Sequence, residues 1–288
     1  MSAKVNRQES KEFQMKVIWP LPGSKAKLSP GTTDRQIFKR VSETLTQVIG
    51  QLAGDKKSSV VCNDNLWRRE GIRYDTAERL LKQNNLTLAI EATDERTKLK
   101  CKQHNFVPEL LFDKPKNSIC APSIKAAAEF KKHDAKLKLE EDMHFSNIKY
   151  CASGSLFRKG RRTSVEQLQF FSRYFPALET LAPAETPLQA LSHWDEAVFD
   201  DMLTRWGKTE FDSWMLVNRW DWGTNTLLES ELSFKVDKAM GEDWDYGQLK
   251  KAAQLYLALQ KTGVFQPAPP IFFFDNPVSS TDITIVKK

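Results

Sequence analysis

The sequence lacks several features that define common classes of protein. No run of about 18 apolar residues occurs, so no membrane-spanning helix and no membrane partner are expected. The opening MSAKVNRQESKEF has no apolar stretch of the kind found in secretory signals. Neither GxGxxG nor a P-loop is present, which argues against a glycine-rich mononucleotide turn. The 4 histidines have no ligand spacing and no nearby nucleophile signature, which argues against a hydrolytic triad.

Cysteine is scarce. The chain of 288 residues has 4 cysteines and no CxxC pair; they are Cys62, Cys101, Cys120 and Cys151. So few cysteines in so long a chain predict reduced thiols rather than a disulfide framework or a zinc site. Reduced thiols in turn favour a cytoplasmic location.

The composition that is present is that of a folded domain. Hydrophobic residues make up 40% and charged residues 28%, which predicts a globular chain with a sizeable core. A length of 288 residues allows one large domain or two small ones, and the pattern of strands and helices along the chain predicts a single α+β domain over 1–288. The net charge of +6 and the pI of about 9.0 favour anionic ligands such as phosphates or nucleic acid.

The predicted strands carry charges that alternate along the chain. Four segments place polar side chains at every second residue: Glu12, Gln14 and Lys16; Lys98, Lys100 and Lys102; Lys138, Glu140 and Asp142; and Glu229, Glu231, Ser233 and Lys235. Residues two apart on a strand share a face, about 6.5–7 Å from one another. Carboxylates at that spacing can hold a hard divalent cation, and lysines can follow a chain of phosphates. A barrel that closed these faces inward would form a charged tunnel. The alternatives are a solvated sheet face and lysines that protect an exposed edge.

The remaining segments are predicted by periodicity. Residues 34–52, 122–133 and 246–262 have helical patterns, whereas 63–71 is polar and is predicted to be a loop. Residues 164–199 also have a helical pattern broken by prolines, so 155–205 is predicted to be a helical insertion. Residues 264–288 are predicted to be a C-terminal tail.

The order of these segments resembles the CYTH superfamily, the triphosphate tunnel proteins that include class IV adenylate cyclases, thiamine-triphosphatases and inorganic triphosphatases. EFQMK resembles the ExExK signature of that family, and GIRYDTAERLLKQNNLTLAIEA resembles its YxDT segment with the LRxR strand. RTKLKCK resembles the following TLK strand, and MLVNRWDWGTNTLLESELSFKV with YGQLKKAAQLYLAL resembles the late acidic strand pair and its helix. Residues 155–205 have no counterpart in the resemblance.

The resemblance implies a fold and a set of ligands. The fold is a mainly antiparallel β-barrel, the tunnel, with helices packed outside. Carried over position by position, the resemblance implies that Glu12, Glu229 and Glu231 bind Mg²⁺ or Mn²⁺. Lys16, Lys98, Lys100 and Lys138 would contact phosphate, and Lys138 and Glu140 match the family's middle basic–acidic strand only loosely. The implied partner is a nucleotide or another triphosphate-bearing small molecule.

The chain departs from the family pattern at four positions. Gln14 replaces the second signature Glu, Ala89 and Glu91 replace both arginines of LRxR, and Ser233 replaces a further acid. Loss of these charges favours a weakened, metal-dependent triphosphatase, or a barrel that binds nucleotide or polyphosphate without turnover. A third alternative is a non-catalytic sensor or interaction module that uses the helical part at 164–205.

A dense basic patch lies at residues 157–162, FRKGRR. Such a patch can contact nucleic acid through the phosphate backbone. The alternative is a solvated loop, which is the commoner role of such charge runs.

Overall fold

A computed structural model of the protein describes residues 8–19, 33–54, 57–62, 65–105, 118–123, 135–143, 148–221, 226–239, 242–262 and 266–267. For residues 11–19, 213–221 and 226–235, among others, it describes the backbone alone.

The described chain is built mainly from strands. They are β1 (Gln8–Trp19), β2 (Ser58–Cys62), β3 (Leu66–Asp75), β4 (Leu86–Ala92), β5 (Arg96–Asn105), β6 (Ala135–Met143), β7 (Ile148–Lys159), β8 (Gln189–Trp206), β9 (Thr209–Asp221), β10 (Thr226–Ala239) and β11 (Gln266–Pro267). The described helices are α1 (Asp34–Ala53), α2 (Leu80–Gln83), α3 (Gln169–Ser172) and α4 (Tyr246–Lys261), with a 3-10 helix at Pro176–Thr180.

The strands pair in a closed order. The ladder runs β10–β9–β8–β3–β4–β5–β7–β6–β1, and β1 pairs with β10 again. The β1–β6 pair is parallel, and the other described pairs are antiparallel. Closure gives each strand of the ring two neighbours and so removes open edges. The predicted α+β class, with a mainly antiparallel barrel, is confirmed.

Helices α1 and α4 cover the outer face of β8, β9 and β10. Helix α1 begins with a capping box in which the Thr33 side chain accepts from the Gln36 backbone and the Gln36 side chain accepts from Thr33. Its apolar face packs on the sheet, and the Phe38 ring stacks on Phe199 of β8 with the centroids 4.3 Å apart. None of the described helices is long and apolar enough to cross a membrane.

A second apolar cluster covers the outer face of β3, β4, β5 and β7. It is closed by α2, α3 and the loop that follows α3. The buried carboxylate of Asp75 accepts hydrogen bonds from the backbone N–H groups of Leu81, 2.8 Å away, and Lys82, 3.2 Å away. The aspartate of the YxDT segment therefore satisfies helix N–H groups that have no intrahelical partner, which is a structural role.

Two predictions of secondary structure were wrong. Residues 155–159 and 189–205 belong to β7 and β8, so only the short helices between them match the predicted helical stretch at 155–205. Residues 66–71, predicted to be loop, belong to β3. Most of the helix predicted at 122–133 and of the tail at 264–288 lies outside the described residues. Whether 155–205 is an insertion stays a prediction.

Gly71 of β3 makes room for an aromatic side chain inside the barrel. A Cβ at Gly71 would lie 2.0 Å from two ring carbons of Trp194, which is buried. We expect Gly71→Ala to lower the free energy of unfolding by about 1–3 kcal/mol because the indole has no space to move. Gly50→Ala, in α1 with nothing within 4 Å, is the matched control and should raise the free energy by about 0.5–1 kcal/mol. Denaturant unfolding measures both values, and equal effects would contradict the clash.

Candidate functional site

The backbone register places a row of charged residues on the inner face of the barrel. Directly opposed residues of neighbouring strands share a sheet face. Arg69 stands opposite Glu196, Glu91 opposite Lys98, and Lys100 opposite Ala89. The apolar clusters occupy the other face of these strands, beneath the helices. The charged residues therefore face the lumen.

Glu91 of β4 is the centre of this row. Its carboxylate accepts hydrogen bonds from Arg69, with Nη1 2.8 Å from Oε2, and from the Lys100 ammonium. The Lys98 ammonium lies 3.8 Å from the same carboxylate. Arg69 also donates from Nε to Glu196. Side-chain exposure is only 4% for Glu91 and 5% for Glu196, so water contributes little to neutralising these charges. We call Arg69, Glu91, Lys98, Lys100 and Glu196 the lumen cluster.

The two carboxylates of the lumen cluster differ in acidity. Burial alone raises the pKa of Glu91, but the attraction of Arg69, Lys100 and Lys98 outweighs it and holds that pKa well below the usual range. For Glu196 burial dominates; with the repulsion of Glu91 added, it outweighs the attraction of Arg69, and its pKa is raised. Burial lowers the pKa of Lys100 in spite of Glu91. One carboxylate thus forms ion pairs with three cations, and the second shares Arg69 with it.

A second ion pair continues along the lumen. The Lys102 ammonium donates to Glu140 of β6 over 2.6 Å, and the Cys151 thiol donates to the same carboxylate over 3.1 Å. Lys138 and Lys102 both stand opposite Ser153 of β7, so they belong to the same inner face. The lumen therefore carries a line of ammonium groups interrupted by buried carboxylates.

A cavity of about 460 Å³ opens next to the lumen cluster. Arg69 and Glu196 line it, with Ala92 at the end of β4 and Thr93 and Asp94 of the β4–β5 turn beside them. Arg161 closes its rim through ion pairs with Glu70 and Asp94. Two members of the lumen cluster, Arg69 and Glu196, therefore border this cavity.

The predicted phosphate-binding residues divide into two groups. Lys98 and Lys100 meet at Glu91, and Lys138 lies further along the same face. The side chain of Lys16 lies outside the described residues; its backbone stands opposite Ser233.

The predicted metal ligands Glu12, Glu229 and Glu231 also have side chains outside the described residues. The register pairs Glu12 with Glu140 and with Asp237, whereas Glu231 pairs with Ile18 and Glu229 with Asn218. Among the described residues no group of three or more His, Cys, Asp or Glu side chains is placed to hold a metal ion. Glu140, which the register places opposite Glu12, is already bonded to Lys102. The described part of the chain therefore does not supply a metal site, and Mg²⁺ or Mn²⁺ binding stays a prediction.

Arg69 and Glu196 were not among the residues predicted from the sequence. Arg69 lies in the stretch predicted to be loop, and Glu196 in the stretch predicted to be helix. The sequence did indicate that a cation was missing from the predicted site. Both arginines of the LRxR pattern are absent, and the acid at position 91 needs a cation as its partner. Arg69, two residues before Gly71, supplies it from the neighbouring strand.

The basic patch is partly engaged within the chain. Arg161 pairs with Glu70 and Asp94, and the Arg162 guanidinium lies 4.2 Å from the centroid of the Phe170 ring. These contacts fit the solvated-loop alternative, and nucleic-acid binding stays untested.

Comparison with known proteins gives similarity only at the level of structure. No family model and no curated protein matches the chain. A candidate adenylyl cyclase from Hippeastrum, described as having a dominant triphosphatase activity, aligns at 10% identity over 92% of this chain and 98% of its own, with a TM-score of 0.38. A candidate adenylate cyclase from Bacillus halodurans aligns at 10% identity over 93% and 95%, with a TM-score of 0.39. Another from Vibrio parahaemolyticus aligns at 10% identity over 97% and 98%, with a TM-score of 0.31.

The names of these neighbours, adenylyl or adenylate cyclase and in one case triphosphatase, belong to the superfamily that the sequence motifs resemble. Their TM-scores lie below 0.5, so the barrel and its site are defined here by the strand pairing and the contacts of this chain alone.

Proposed function

We propose that the barrel lumen binds a polyphosphate or the phosphate chain of a nucleotide. The observation that supports this proposal is the convergence of Arg69, Lys98 and Lys100 on one buried point, where the Glu91 carboxylate now lies. Three cations held around one anionic group form an arrangement that also suits a phosphate. A guanidinium fork donates two hydrogen bonds to neighbouring oxygens, and ammonium groups add point charges.

The length of the cationic row supports a chain of phosphates rather than a single one. Lys98, Lys100 and Lys102 alternate along β5, and side chains two residues apart stand about 6.5–7 Å from one another. Lys138 adds a further cation on the same face from β6. A polyphosphate has a charge on each unit, so it can contact successive members of this row.

Binding without fast turnover fits the lumen better than efficient hydrolysis. Glu91, Glu140 and Glu196 place buried negative charge among the cations, which opposes the extra charge that develops on phosphoryl transfer. A weak metal-dependent triphosphatase is the second candidate. It rests on the register that aligns Glu12 with Glu140 and Asp237. A sensor or interaction module is the remaining alternative.

Tripolyphosphate at 100 times its dissociation constant is expected to raise the melting temperature by about 5–10 °C, from about 2.7 kcal/mol of binding free energy. The shift should shrink at high salt because screening weakens the contacts that remain exposed. Differential scanning fluorimetry at low and high salt measures it. The double variant Lys98→Ala/Lys100→Ala should lose the shift. Lys39→Ala, in an exposed ion pair on α1, should keep it as the matched control.

The outcomes separate the candidates. No shift in wild type would overturn the proposed lumen ligand. An equal shift in the double variant would place binding elsewhere. Phosphate release in the same samples, with Mg²⁺ or Mn²⁺ added, tests the second candidate. Rapid release by wild type would show an enzyme rather than a binder.

A further inference from the structure

Residues 118–123 pack against the outer face of the barrel, and their backbone comes unusually close to β7. The carbonyl oxygen of Cys120 lies 1.8 Å from the position that a Cβ would have at Gly154 of β7. Only glycine permits this approach, since any side chain would overlap the carbonyl group. Gly154 stands directly opposite Cys101 of β5. The glycine therefore seats Cys120 beside Cys101.

Other contacts fix the segment on both sides of Cys120. The Ser118 hydroxyl donates to Oε1 of Gln103 in β5 over 3.1 Å. The Ser123 N–H donates to the carbonyl oxygen of Tyr174 over 2.8 Å. The Cys101 and Cys120 sulfur atoms lie 3.2 Å apart, and both residues are fully buried. The two thiols are therefore held in contact by backbone and side-chain interactions outside the pair itself.

We propose that Cys101 and Cys120 are a disulfide-forming pair that links the 118–123 segment to β5 when the protein meets a disulfide oxidant. The sulfur atoms need to approach by about 1.2 Å to reach the bond length of a disulfide. The other cysteines have different surroundings: Cys62 is in β2, and Cys151 faces the lumen and donates to Glu140. The expected product is therefore a single disulfide bond between Cys101 and Cys120.

The chemistry balances with a small disulfide such as oxidised glutathione. The thiolate of one cysteine attacks the oxidant, which releases one glutathione thiol and leaves a mixed disulfide on the protein. The second cysteine then attacks the protein sulfur and releases the second glutathione. The protein loses two protons and two electrons, and the oxidant becomes two thiols.

Burial determines the rate of this exchange. Burial raises the pKa of the Cys120 thiol, and the nearby Cys101 raises it further. The thiolate is therefore scarce at neutral pH, so the reaction is slow there and accelerates in alkaline buffer. The same burial shields the finished bond from reductants.

The test is incubation of the full chain with oxidised glutathione at neutral and alkaline pH, followed by blocking of free thiols and non-reducing tryptic mapping. Cleavage after lysine places Cys101 in the peptide 101–102 and Cys120 in the peptide 117–125. We expect these two peptides to be joined, with an intact mass lower by two hydrogens and faster formation at alkaline pH.

Single cysteine substitutions test which two residues form the disulfide. Cys101→Ala and Cys120→Ala should each remove the linkage and the rise in melting temperature that accompanies oxidation. Cys62→Ala should keep both. Absence of the joined peptides from folded wild type, a stable glutathione adduct on either cysteine, or a bond that includes Cys62 or Cys151 would each overturn the proposal. Mapping of wild type gives this answer whether or not the variants fold.

Discussion

Glu91→Gln is expected to lower the melting temperature of the ligand-free protein by about 10 °C. The substitution leaves Arg69, Lys98 and Lys100 without their shared carboxylate, and an unpaired buried charge destabilises by about 3–5 kcal/mol. The freed cations should then bind tripolyphosphate at least about tenfold more tightly, a gain of about 1.4 kcal/mol. Thermal unfolding and isothermal titration calorimetry measure the two effects.

Two controls separate this effect from general damage to the barrel. Glu91→Asp retains the charge and should change the affinity for tripolyphosphate much less. Glu70→Gln removes a carboxylate that binds Arg161 at the cavity rim, and it should alter the melting temperature by only 1–2 °C or so, since surface ion pairs are weak. A stable Glu91→Gln protein with unchanged affinity would show that Glu91 does not compete with a ligand for the lumen cations.

Arg69→Met is expected to destabilise the protein by about 3–5 kcal/mol at neutral pH. Arg69 donates to both Glu91 and Glu196, and its side chain is only 13% exposed. Glu91 keeps Lys98 and Lys100 as partners, but Glu196 loses the guanidinium that it is hydrogen-bonded to. Most of the loss should therefore arise at Glu196. Urea unfolding at neutral pH measures the change.

The pH dependence of Arg69→Met identifies the responsible carboxylate. The pKa of Glu196 is already raised in the folded protein, so its protonation is easier there than in the unfolded chain. Removal of Arg69 raises that pKa further. The variant should therefore regain stability relative to wild type as the pH falls towards 5, and it should lose that gain as the pH rises again.

The double variant Arg69→Met/Glu196→Gln is the matched control. It removes the buried charge together with its partner, so it should recover most of the lost stability at neutral pH. A double variant as unstable as Arg69→Met, or a loss that does not depend on pH, would show that the arginine acts through packing instead.

Alternation along single strands was enough to predict part of the site. The row of Lys98, Lys100 and Lys102 on β5 has apolar Leu99 and Cys101 between its members, and both are fully buried on the outer face. One face is charged and the other apolar, so the period of two identifies the strand and its inner face together. Lys98 and Lys100 lie on one side of the sheet, as alternation predicts, and their contact with phosphate stays a prediction.

The strands that were missed have polar or apolar residues on both faces. In β3, Arg69 faces the lumen, whereas Arg68 on the other face pairs with the buried Asp34 of α1. In β8, Trp194 is buried in the lumen and Phe199 is buried under α1. Neither strand alternates regularly between polar and apolar residues. Residues on each face have packing or ion-pair partners that only the folded barrel provides. The pairing of Glu91 with Arg69 likewise could not be predicted from a single strand, because it depends on which strand lies beside β4.

Closure of the ring sets the order in which the protein can fold. Strand β1 finds its two neighbours far along the chain: it pairs in parallel with β6, and Ser10 stands opposite Ala239 of β10. Contacts between such distant parts of a sequence slow folding, because the intervening chain must be ordered before they form. During synthesis, β1 has no partner on its β10 side until residues 230–239 leave the ribosome. Nascent chains of this protein therefore leave the β10-facing edge of β1 unpaired for most of their synthesis, and an unpaired strand edge is prone to association with other chains.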